Sequence, residues 1–400
     1  MDMEKQMAFL AVFRSALQHK IVPEIAQEYW ADVLEIADRQ HVYALIGEKL
    51  SEIPTFSASD TYEQVLRKSV RYTLEQEKRE AQFLLLYRAM KEKGLHPLVM
   101  KGLACRAAYG TLGRLRPSGD EDLLIAPEEF WNAWQVLEDN GYHPTAKEKP
   151  RDVEQVHHVL FRSEQGYIIE LHVRPIGLEP PFLQRMDRCF DGAHSRAVTM
   201  EWKGEALYTL CPVDHYLLLI FHMAKHFCSL GFGIRPLADM AVHYTQYADA
   251  IQLDEVYAAL DDCGLMPLYS DLVHIANEHL GFSLPEREKT VAPEKLLEHM
   301  LDGGVLGGRN ATGLVSSVVV SGSMSEDHHL GKTLWHMVFP AREKLLQVHP
   351  EYAGKPLKWL IHYPRRWFRG MRAMMQGATP IRTLRCSRER LKMLRRYGIG

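Results

Sequence analysis

Asp120 and Asp122 flank a single residue at the head of the apolar run Leu123-Leu124-Ile125. On an extended strand alternate side chains share a face, so the two aspartates project together while Glu121, Leu123 and Ile125 project the other way. Two carboxylates side by side repel. Keeping both ionised calls for a cation, and hard oxygen ligands select Mg²⁺ or Mn²⁺. A third acid, Glu170, interrupts the apolar run Tyr167-Ile168-Ile169-Glu170-Leu171-His172, a poor place for a charge without a partner. If that strand lies beside the first, Asp120, Asp122 and Glu170 converge. Such a cluster can hold two metals ~3.5–4 Å apart, as phosphoryl transfer requires.

Met100-Lys101-Gly102 ends an earlier apolar run and starts a helix. A glycine there lets backbone N–H groups approach a phosphate, and Lys101 adds a point charge. Arg114 and Arg116 precede the carboxylates in a loop rich in Gly, Arg and Pro, placed to clamp phosphate oxygens. His172 shares a face with Glu170, so it either handles an acceptor hydroxyl or bonds to a carboxylate. The bland alternatives are a solvated strand entry for the aspartates, a salt bridge to Arg174 for Glu170 and a surface charge for Lys101. The order of turn, paired-acid strand and lone later acid favours chemistry.

His222 and His226 are four apart on a predicted helix, with Lys225 between them. A zinc-protease helix would carry Glu where Met223 stands, so phosphate contact or a structural hydrogen bond fits better. His157 and His158 fall on a strand beside the proposed site. Cys105 has no readable base nearby and reads as a small buried side chain. Asp214 reads as a helix N-cap followed by an exposed His215.

These residues need elements to position them. Residues 1–95 are helical in pattern, ending in a long amphipathic run closed by Gly94. Residues 96–175 read β-α-β-α-β-β, with Glu164-Gln165-Gly166 as a hairpin turn. Helical periodicity returns after about residue 212. The resulting division is an N-terminal helical region at 1–95, an α/β core at 96–210, a helical region at 211–300 and an irregular to helical segment with a basic tail at 301–400. Residues 303–324 read as irregular.

The 400 residues are 46% hydrophobic and 25% charged, which excludes a disordered or fibrous chain. No apolar run reaches the ~18–20 residues that would span a bilayer, and the N-terminus lacks a secretory signature. Six scattered cysteines form no CxxC pair, arguing for a reducing cytoplasm. The net charge of −3 hides an asymmetry: residues 355–400 hold 13 Lys and Arg against the single acid Glu389, a local +12 facing −15 elsewhere. That tail docks on the acidic body or holds an anion.

The pattern Lys101-Gly102, then Arg116-Pro117-Ser118-Gly119-Asp120-Glu121-Asp122, then Ile168-Ile169-Glu170-Leu171-His172 resembles an uncharacterised bacterial nucleotidyltransferase family of the DNA polymerase β-like superfamily. The similarity extends to His222–His226, Arg235 and Asp239. It implies an α+β fold, a small mixed β-sheet nucleotidyltransferase core flanked by N-terminal and C-terminal helical regions. It further implies Asp120, Asp122 and Glu170 as catalytic metal ligands for Mg²⁺ or Mn²⁺. Lys101, Gly102, Arg116 and Ser118 become nucleotide-binding residues, with His172, His222, His226 and Arg235 near the acceptor or behind the ligands. The implied reaction is transfer of a nucleoside monophosphate from an NTP, ATP included, to a small-molecule or peptide acceptor, with nucleic acid a lesser candidate. Two alternatives stand: an inactive scaffold binding a phosphorylated partner, and a transferase using a nucleotide sugar. The sequence departs from the superfamily in having Lys-Gly at the turn, and in having Glu121 where an apolar residue is usual. Glu121 therefore needs a buried partner or serves as a further ligand.

Overall fold

The computed structural model describes residues 3–303, apart from 147, 179, 180 and 230, together with residues 391–399. The irregular segment expected from 303 and most of the basic tail lie outside the described residues. Gly303 itself lies in the helix Pro293–Gly303.

Seven strands form one mixed sheet: β1 (Leu98–Val99), β2 (Glu121–Leu124), β3 (Tyr142–Pro144), β4 (His158–Ser163), β5 (Ile168–His172), β6 (Val198–Trp202) and β7 (Glu205–Thr209), in the order β3-β4-β5-β2-β1-β7-β6. The predicted β-α-β-α-β-β order is present. The helices Leu103–Ala108 and Phe130–Asp139 lie between the strands as expected. Strands β3, β6 and β7 were not read from the sequence. β6 and β7 form a hairpin across Lys203-Gly204, where both residues take positive φ (49° and 81°), the geometry that lets a two-residue turn follow the twist of its strands.

Each face of the sheet has its own cover. Val99, Leu123, Ile169, Leu171 and Phe161 are all at most 2% exposed, and they pack with Phe83, Tyr87 and Met90 of the long helix Asp60–Glu92 and with Phe130 and Trp134. Burying each such side chain contributes ~1.5–3 kcal/mol, so this layer fixes which face of β2 and β5 points inward. The opposite face carries Leu98, Met100 and Leu124. These join a second cluster with the N-terminal helices Met3–Leu17, Trp30–Arg39 and Tyr43–Leu50 and with the later helices Pro212–Cys228, Ile234–Tyr247 and Met266–Leu280. Residues 391–399 pack on this cluster, and the Tyr397 hydroxyl donates to buried Asp271 at 2.7 Å. No helix among the described residues is long and apolar enough to cross a membrane.

Candidate active site

The alternation of β2 and β5 sends Asp122, Glu170 and His172 to the face covered by the helix Pro212–Cys228, and Glu121 to the other. β2 and β5 run parallel with Asp122 opposite Glu170 and Leu124 opposite His172. Asp122, Glu170 and His172 offer ligand atoms within 4.8 Å of one another. Two ligands ~2.1 Å from one hard divalent ion span up to about 4 Å, so a cation fits this donor set with little rearrangement. His157, His158 and His172 form a second such group beside it. Asp120 is in neither group. It stands at the open mouth of the cleft.

The charges interlock. His172 Nε2 lies 3.1 Å from Asp122 Oδ1 and 3.2 Å from Glu170 Oε2. Lys101 Nζ lies 3.1 Å from the same Asp122 oxygen and 3.0 Å from His222 Nε2. Burial alone would raise the Asp122 carboxyl, but the Lys101 ammonium and the His172 hydrogen bond outweigh it and hold the group far below the usual range. Glu170 is likewise lowered, its His172 bond overcoming desolvation. Desolvation and the neighbouring Asp122 push Asp120 up to about 6. Burial works against the charge on Lys101, yet Asp122, Asp120 and Glu170 raise its pKa. His172 is raised in the same way by Asp122 and Glu170. Lys101 and His172 thus both gain from the carboxylates that surround them.

The helix Pro212–Cys228 roofs this face. Lys225 Nζ reaches His157 Nε2 at 3.0 Å and the Ile176 carbonyl at 2.7 Å, and desolvation with the nearby Lys101 lowers it to about 8. His226 sits 3.0 Å from His222, and burial beside Lys101 keeps His222 neutral. The pair therefore makes hydrogen bonds between Lys101 and the roof helix, the structural alternative the sequence left open. Sequence reasoning named Lys225 only as a neighbour; its spacing from His222 and His226 on an amphipathic helix was the available signal.

Glu121 resolves the choice between partner and ligand. It is 6% exposed on the apolar face, and its Oε2 accepts the Leu103 N–H at 2.8 Å. Desolvation pushes its pKa up to about 8, so at neutral pH it is mostly a neutral acid. Gly102 is required above it: φ is +52°, and a Cβ there would lie 2.0 Å from Glu121 Oε2. The turn expected to offer its N–H groups to phosphate has one of them bound internally.

Arg116 departs from its expected place at the phosphates. It is 7% exposed; Nε and Nη2 donate to Asp239 at 2.8 Å each, and Nη1 donates to the Gly102 carbonyl at 3.2 Å. It positions the turn instead. The partner is 123 residues away in sequence, which is why the loop's composition misled. Arg114 pairs with Glu48 at 2.9 Å. Ser118 is buried, its hydroxyl bonded to the Asp120 carbonyl and its N–H to Gln76, so it shapes the approach to Asp120. Arg235 donates to the Pro117 carbonyl at 3.3 Å, next to Asp120. Cys105 is buried as expected. Asp214 is not an N-cap: the helix starts at Pro212 after Cys211, and Asp214 pairs with Arg196. His215 is 3% exposed, its ring tilted against that of His243 with centroids 4.6 Å apart.

Residues 26–281 match the model of a family described as an uncharacterised nucleotidyltransferase, and the chain belongs to that family. It is a transferase of phosphorus-containing groups. No curated protein matches the chain.

Proposed function

We propose, from that membership and the face built by β2 and β5, that the chain moves a nucleoside monophosphate from an NTP to a hydroxyl or other group of a small-molecule or peptide acceptor and releases pyrophosphate. The observation that carries this reading is the parallel pairing of Asp122 with Glu170, which brings two carboxylates and His172 to one point. Asp120, Asp122 and Glu170 would hold Mg²⁺ or Mn²⁺, which when bound activates the attacking oxygen and offsets charge on the phosphates. The chain's own residues do the rest. Lys101 and Lys225, on the roofed side, bind triphosphate oxygens. Glu170 accepts the proton of the attacking hydroxyl as the new oxygen–phosphorus bond forms and the bond to pyrophosphate breaks. His172 holds Asp122 and Glu170 in register. The setting is the cytoplasm, and the ancestry is that of the polymerase β-like superfamily.

One observation favours an inactive binding scaffold instead: the Leu103 N–H that would meet a phosphate is bonded to Glu121. Thermal unfolding separates the readings. Wild type and Asp122→Asn are scanned against ATP, GTP, CTP, UTP and UDP-sugars, with and without Mg²⁺ or Mn²⁺. A ligand at 100 times its Kd adds ~2.7 kcal/mol, a shift of several degrees. A metal-dependent shift with one triphosphate, lost in Asp122→Asn, is expected, followed by pyrophosphate release once an acceptor is supplied. A shift with UDP-sugars alone points to sugar transfer. Metal-independent binding that survives Asp122→Asn overturns the catalytic reading.

A further inference from the structure

A cavity of about 590 Å³ opens beside Asp120. Its walls come from the N-terminal helices, the helix Asp60–Glu92, the 114–119 loop and Arg235, and neither Lys101 nor any residue of the roof helix lines it. The volume suits a small molecule. At one end, the rings of Tyr43 and Tyr72 meet edge to face with centroids 5.9 Å apart.

The walls carry the carboxylates of Asp38, Glu75 and Asp120, and against the 117–119 loop they carry the donors Gln76, Arg79 and Arg235. Gln76 is 3% exposed; its Oε1 accepts the Ser118 N–H at 2.7 Å, and its Nε2 is buried without a partner among the described residues. Arg79 Nε and Arg235 Nε are likewise buried without partners among the described residues. Arg79 Nη1 donates to the Ser118 carbonyl at 2.9 Å, which fixes its guanidinium against the same loop. Buried polar groups are ordinarily paired, and a lone unpaired donor is unfavourable. Three of them in one wall, two on guanidinium groups, fit a ligand that brings oxygen acceptors and negative charge.

We propose that this cavity is the acceptor pocket and that the acceptor is an anionic small molecule, its carboxylate or phosphate oxygens taking the N–H groups of Gln76, Arg79 and Arg235. This rests on the nucleotidyl-transfer reading above. In-line displacement puts donor and acceptor on opposite sides of the reacting phosphorus. Lys101 and Lys225 serve the triphosphate under the roof helix, which leaves the Asp120 mouth for the attacking group. The Tyr43 and Tyr72 rings provide the apolar surface for the body of that molecule.

Calorimetric titration tests it, with inorganic phosphate and succinate as probes on the metal-free full chain. A non-hydrolysable analogue of the triphosphate found in the thermal scan is titrated separately with Mn²⁺. Gln76→Glu keeps an oxygen for the Ser118 N–H but replaces the unpaired donor with an acceptor; Arg235→Gln removes one guanidinium. Their unfolding temperatures report that both variants are folded. At least one anion binds wild type and weakens about tenfold or more in each variant, while nucleotide affinity stays within about threefold. Binding of phosphate alone identifies a phosphorylated acceptor, and binding of succinate alone a carboxylate. The proposal is overturned if neither anion binds wild type, if the variants bind as wild type does, or if nucleotide affinity falls alongside, which would give the cavity to the donor. Anion binding that behaves as expected in a protein that binds no nucleotide keeps the anion site and refutes the nucleotidyl-transfer reading instead.

Discussion

Glu121→Gln is the substitution in which position, charge and pH come apart most cleanly. The side chain is buried against the apolar layer with one hydrogen bond, from Leu103 N, and desolvation pushes its pKa up to about 8. An unfolded chain would titrate it near ~4.3, so the folded state favours the neutral acid. The sign follows: the residue costs nothing below about pH 4, the cost grows as pH rises, and it levels off once pH passes the folded value of about 8. At ~1.4 kcal/mol per pKa unit, the upper bound is roughly 5 kcal/mol, and water penetration or relaxation brings a working figure to about 2–4 kcal/mol. Glutamine keeps the oxygen that Leu103 N needs and has no proton to lose. In EDTA, the variant and wild type should unfold at nearly the same temperature at pH 5. The variant should unfold ~4–16 °C higher at pH 8.5, taking ~2–4 °C per kcal/mol. The assay is scanning calorimetry across that pH range. A difference between the two proteins that does not grow with pH refutes the buried-acid account. The same variant decides the ligand question, because Mn²⁺ affinity should be unchanged; a tenfold loss would make Glu121 part of the metal site after all.

Gly102→Ala should cost about 3 kcal/mol or more, from the positive φ and from the Cβ placed 2.0 Å from Glu121 Oε2. In a Glu121→Ala background the collision disappears and only the backbone strain remains, so urea unfolding should find the glycine substitution at least ~1 kcal/mol milder there. Arg116→Met and Asp239→Leu each break a fully buried pair and should each destabilise by ~3–5 kcal/mol, while the double variant recovers much of that loss. A double-mutant cycle with no coupling would return Arg116 to the list of phosphate ligands.

The parts of this molecule legible in its sequence are those governed by local periodicity. Alternation on two short strands placed Glu170 and His172 on one face, with Asp122 beside them, while Asp120 precedes its strand, and the covers of the sheet are what one residue of slip would have destroyed. What could not be read is whatever depends on a partner far along the chain. The match of Asp122 to Glu170 rather than to a neighbouring position comes from the packing of Leu123 and Leu171 against the long helix, a contact that β2 and β5 do not encode themselves. Arg116 looked like a phosphate clamp because its nearest neighbours in sequence are the aspartates, whereas Asp239 claims it through a helix that begins more than a hundred residues later. Gln76 and Arg79 show the same limit from the other side. On a 33-residue helix of mixed polarity nothing local singles them out, and only the fold lays them over the Ser118–Asp120 loop. The chemistry of a transferase is therefore carried by short strands that announce themselves, while the selection of its second substrate falls to polar positions on helices whose burial is decided elsewhere. Under the acceptor-pocket proposal, that division assigns the choice of acceptor to the Gln76, Arg79 and Arg235 wall and counts the helical flank as part of the active site.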